Sequence, residues 1–93
     1  MITQTSFENF INPGDFISVR VEDGIIYNGE YIGSDILLEK YLFIGPLTHS
    51  LKQIKDENKA LVLEEEHLLK FKTMLPINTI KSIALLWQQK KEI

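Results

Sequence analysis

Hydrophobic and polar positions alternate most clearly near the start of the chain. Ile17, Val19 and Val21 fall on one side of an extended backbone, and Ser18, Arg20 and Glu22 on the other. That period of two marks a strand with one wet face. Glu22-Asp23-Gly24 supplies a turn, because glycine tolerates positive φ and aspartate bonds its own backbone. A second extended run, Ile25 to Ile32, follows directly and makes the pair a hairpin. Gly29 interrupts that run, where a bulge or sharp bend is expected. A third apolar run, Ile36 to Ile44, begins after Gly33-Ser34-Asp35. Three short strands bent at glycines predict a small antiparallel barrel.

The flanking segments complete it. Phe7, Phe10 and Ile11 recur at helical spacing within residues 3–11, with Thr5 or Ser6 as cap, and Asn12-Pro13-Gly14 ends that helix before the first strand. Residues 45–60 are ambiguous: Leu47, Leu51 and Ile54 are spaced for a helix face, yet two strand extensions joined near Asp56-Glu57-Asn58 fit as well. A long hairpin or loop is the reading adopted. Ala60 to Leu75 mixes apolar and charged residues and is read as containing a long fourth strand, with Leu69, Phe71 and Thr73 facing one way and Leu68, Lys70, Lys72 and Met74 the other. Pro76-Ile77-Asn78 is a tight break, Thr79 to Trp87 the fifth strand, and residues 88–93 a polar, basic tail expected to fray. Strand alternation places Ile17, Val19, Val21, Ile83 and Leu85 in the core.

At this point the spacing resembles a family. Gly29, Tyr31, Asp35, Leu38, Glu39 and Leu42 fall where the first motif of Sm-like (LSm) proteins places glycine, an apolar residue, aspartate, methionine, asparagine and a final apolar residue. Asp23-Gly24 matches that family's hairpin turn, and Ile80 and Ile83 have the spacing of its second motif. The resemblance implies an all-β fold: a small, strongly bent five-stranded antiparallel barrel with a short N-terminal α-helix across one open end. The chain then divides as one domain, 1–93, with the helix at 3–11, the first motif region at 15–44, a variable hairpin or loop at 45–60, the second motif region at 61–87, and the tail at 88–93.

The family reads unpaired bases, commonly uridines, through a stacking side chain, an amide and an Arg-Gly pair. Carried over, these fall on Leu37, Glu39 and Pro76-Ile77, with Asp35 as the loop-ordering aspartate and Asn78 beside the last pair. Leucine has no aromatic face, ionised glutamate donates no hydrogen bond, and proline removes both the cation and an amide donor. The uridine pocket is therefore degenerate. Contacts to RNA or another single strand are expected instead from Tyr27, Tyr41, Lys70, Lys72 and Lys81 on outer strand faces. A barrel this small leaves its fourth and fifth strands as open edges, which invite pairing with another chain. The resemblance implies a homo-oligomeric ring of six or seven subunits, closed head to tail, with Leu69, Phe71, Ile80, Ile83, Leu85 and Trp87 at the interface.

Composition narrows the chemistry. Of the 93 residues, 44% are hydrophobic, which suits one core, and the net charge is −3, mildly adverse for a polyanion. The charge is uneven: −5 over residues 1–50 and +2 over 51–93, so a basic face remains possible. With no cysteine, disulfides and thiol chemistry are excluded, which fits a reducing compartment and a cytoplasmic location. There is neither a membrane-spanning run nor a signal-peptide pattern. His49 and His67 are the two histidines, without metal-ligand spacing. Glycines lack phosphate-loop spacing, and no serine has a nucleophile-elbow context. Catalysis, metal and cofactors are not expected. The competing functional reading is a structural or protein-interaction module that binds no nucleic acid.

Overall fold

The computed structural model describes residues 10–35 and 40–89. Five strands, β1 (Phe16–Val21), β2 (Ile26–Ser34), β3 (Tyr41–Gly45), β4 (Thr73–Pro76) and β5 (Ile80–Trp87), form one antiparallel sheet in the order β4-β3-β2-β1-β5. One short helix, α1 (Leu51–Glu57), lies between β3 and β4. The expected barrel is an open sheet: among the described residues β4 and β5 form its two margins and do not pair. The helix expected over 3–11 falls outside the described residues except for Phe10 and Ile11; Ile11 is buried in the core.

The β1–β2 hairpin follows from its turn. The Gly24 N–H donates to Val21 O and the Val21 N–H to Ile25 O, while Asp23 Oδ1 accepts from the Ile25 N–H. Gly24 takes a positive φ of 88°, as a three-residue loop with a left-handed last residue requires. The turn sets the register at Arg20↔Ile26 and Val19↔Tyr27. Ile17, Val19 and Val21 consequently point inward with Tyr31, Leu42, Ile44, Leu75, Ile77 and Ile80, and form the core. Gly29 is the bend. A side chain there would run into the Gly45 carbonyl oxygen and approach Ile44 Cγ1 at 3.2 Å. The sheet therefore curls until the end of β3 closes over the inner side of β2.

The two core positions expected on β5 behave differently from those on β1. Ile83 is half-buried and Leu85 is 38% exposed, although both face inward opposite Val19 and Ile17. The open margin explains it: no strand beyond β5 covers them. The hydrogen-bond parity supports the same geometry. The Val21 N–H faces β2 and the Glu22 N–H donates to Thr79 O beside β5, so Arg20↔Ser82 is the hydrogen-bonded pair. The backbone groups of Ile83 accordingly point to the free margin.

Three expectations for the second half are corrected. The segment 45–60 is not a hairpin or plain loop: Ser50 Oγ caps α1 by accepting from the Gln53 N–H, and Ile54 is fully buried. The fourth strand is not long. It starts only at Thr73, because β3 offers it partners from Ile44 to Tyr41 and no further, and Pro46 after Gly45 has no N–H to extend the ladder. Before it, Glu65–His67 form a 3-10 turn, and the chain touches β2 through one parallel bridge, Asn28↔Leu68, with the Leu69 N–H donating to Asn28 O at 2.9 Å. Finally, the described part of the tail is tied down, since the Gln89 N–H donates to Asp15 Oδ1 at 3.1 Å.

Asp15 is a buried carboxylate, 1% exposed. Its second oxygen accepts from the Asn12 N–H at 2.9 Å, so one side chain joins the chain's entry to β1 with its exit from β5. At the same end, α1 is clasped to β5. The Trp87 indole N–H donates to Glu57 Oε2 at 2.8 Å, and Asn58 Nδ2 donates to Leu86 O at 2.8 Å. No helix among the described residues is long and apolar enough to cross a membrane.

Candidate nucleic-acid interface

The two loops that the Sm resemblance points to meet at one end of the sheet. Asp35 follows β2, half-buried, and its N–H donates to Tyr41 O at 2.9 Å. The 3-10 turn Ile77–Thr79 joins β4 to β5, and the Ile77 N–H donates to Lys40 O at 2.8 Å. Asp35 and Asn78 are thus drawn to the same rim, with Asn78 exposed in that turn. Leu37 and Glu39 lie outside the described residues. Where the family carries Arg-Gly, Pro76 is exposed and Ile77 is buried at 5%. Ile77 thus belongs to the core, and its amide is already spent on Lys40.

The expected outer-face contacts divide. Tyr27 pairs with Val19, faces inward and packs against the core, so it is not an outer-face residue. Lys70 and Lys72 are exposed but precede β4 and lie on no strand. Lys70 lines a groove of about 490 Å³ with Lys52 and an apolar floor of Leu47, Leu51, Leu68 and Leu69. Lys81 is exposed at the start of β5, at the other margin of the sheet. These lysines therefore form no single basic stripe.

Tyr41 is outward-facing and half-buried. Leu42 and Ile44 are fully buried, so alternation turns Tyr41 and Phe43 together to the outer side. Phe43 is not among the contacts expected from the sequence, although the same period of two pairs it with Tyr41. The strand register sets Phe43 beside Met74 and Tyr41 beside Pro76, and the Lys72 ammonium stands 5.3 Å from the Phe43 ring centroid. A cation at that distance is held by the ring quadrupole.

Among the expected interface residues, Ile80 is buried at 3% in its own core, and Leu69 packs against that core. Phe71 is 79% exposed. The Trp87 ring is half-buried, 5.2 Å from the His49 ring, and hydrogen-bonded within its own chain. Comparison with protein-family models, with curated proteins and with solved structures finds no match.

Proposed function

We propose that this chain is an Sm-like subunit that assembles head to tail through β4 of one copy and β5 of the next, as a cytoplasmic scaffold for RNA or another single-stranded nucleic acid, not an enzyme. The observation that carries the reading is the strand order. It leaves β4 and β5 as opposite free margins of one curled sheet, with the inward side chains Ile83 and Leu85 incompletely covered beside β5. A heterologous contact of this kind repeats from copy to copy and gives a ring where the rotation between neighbours closes. The resemblance adds six or seven as the subunit count. With Pro76 and Ile77 in place of Arg-Gly, the ring reads nucleic acid without the uridine pocket.

Light scattering at micromolar concentration tests the assembly: a mass of one or two subunits refutes it. Leu85→Lys is expected to dissociate the ring while leaving the subunit folded, since an edge lysine opposes strand addition. Binding to short uridine-rich and adenine-rich RNA at two salt concentrations tests the ligand. Val62 and Phe71, 89% and 79% exposed, favour the second reading, in which the assembly binds protein only; no RNA binding at low salt would select it.

A further inference from the structure

We infer that the outer side of β3 and β4 is a base-stacking platform for single-stranded nucleic acid, with Tyr41 and Phe43 as stacking side chains and Lys72 as a phosphate contact. This rests on the nucleic-acid reading above and locates the contact away from the degenerate loop pocket. The Phe43 ring has open flanks. Across from Phe43, β2 presents Gly33, where a Cβ would have nothing within 4 Å. On its other side, β4 presents Met74, 55% exposed. Tyr41 lies beside the exposed Pro76.

Residues two apart on a strand stand about 6.8 Å apart, roughly twice the ~3.4 Å stacked repeat of a nucleic-acid strand. Neighbouring bases of an extended strand can therefore lie one on each ring. Every base has a π-face, so such stacking is tolerant of sequence, and sheet-borne aromatics are an established way of holding unpaired bases. Lys72 sits over the Phe43 ring. A base that displaces it leaves the ammonium beside the nucleotide, within reach of its phosphate. Lys72 is a positive charge at this face, although the chain as a whole carries −3. Among the described residues the ion pairs involve His49 and His67, and the exposed Lys72 pairs with no described carboxylate. Asp35, joined to Tyr41 through its backbone, is the acidic residue at this rim among those described and is half-buried.

The test measures fluorescence anisotropy of short labelled oligoadenylate and oligouridylate with the wild-type protein, Tyr41→Leu/Phe43→Leu and Lys72→Gln. Leucine keeps apolar volume and removes the π-face; circular dichroism and melting establish that each variant is folded. The double variant is expected to lose at least fivefold in affinity for both strands, and Lys72→Gln to lower the salt slope by about one. Photo-crosslinking of an iodouridine strand to the wild-type protein, read by mass spectrometry, is expected to mark Tyr41 or Phe43 and does not depend on any variant folding. Unchanged affinity in a folded double variant, or adducts confined to other residues, overturns the platform and leaves the nucleic-acid reading standing. Failure of the wild-type protein to bind either strand at low salt overturns both.

Discussion

Gly29→Ala puts one methyl group where the end of β3 lies close against β2. The added Cβ would run into the Gly45 carbonyl oxygen, 3.2 Å from Ile44 Cγ1 and 3.3 Å from the Gly45 carbonyl carbon. Two of these three atoms are backbone in a paired strand, so relief requires β2 and β3 to move apart where Glu30 pairs with Gly45. Overpacking of this kind costs about 1–3 kcal/mol. Against it, alanine reduces the freedom of the unfolded chain, which returns about 0.4–1 kcal/mol. The net expectation is a loss of about 1–2 kcal/mol. For a domain of this size that lowers Tm by roughly 5–15 °C. Urea and thermal melts followed by circular dichroism read it, at one protein concentration because assembly would couple to stability. Gly24 is the control. A Cβ there meets nothing within 4 Å, but φ is +88°, so Gly24→Ala costs backbone strain of about 1–2 kcal/mol. Asparagine, which tolerates that conformation, should recover most of the loss at position 24 and none of it at position 29. A Gly29→Ala protein as stable as wild type would refute the close approach of β2 and β3.

Other consequences are equally direct. Val19→Asp places an unpaired carboxylate where the side chain is fully buried, and the variant is expected to be insoluble or unfolded; a stable protein would show the β1 register to be wrong. Asp15→Ala removes the acceptor for the Asn12 and Gln89 N–H groups, with an expected loss of about 2–3 kcal/mol and faster amide exchange at Gln89; unchanged melting refutes the tie between the two ends. With Pro76 and Ile77 at the reading positions, uridine-rich and adenine-rich RNA should bind within tenfold of each other, or about 1.4 kcal/mol, as measured by competition; a larger uridine preference refutes the degenerate pocket.

The first half of the sheet was legible because its information is local. Alternation from Ile17 to Val21 and the Asp23-Gly24 turn specify a hairpin through period, positive φ and side-chain bonding, none of which needs the rest of the chain. The break at Gly45-Pro46 and the start of the last strand near Ile80 were legible for similar reasons. What only the tertiary structure decided depended on partners. Ala60 to Lys72 has the composition of a strand, but an extended segment becomes one only where a neighbour offers unpaired groups. β3 offers them no further than Thr73, so the remainder turns at Glu65–His67 and meets β2 at a single bridge. Residues 51–57 carried helical and extended readings equally; the Ser50 cap, the burial of Ile54 and the clasp of Glu57 and Asn58 on β5 selected the helix. The candidate site divides in the same way. Alternation alone sets Tyr41 and Phe43 on one side, whereas the open flank at Gly33, the reach of Lys72 and the inward turn of Tyr27 follow from which strands lie next to each other.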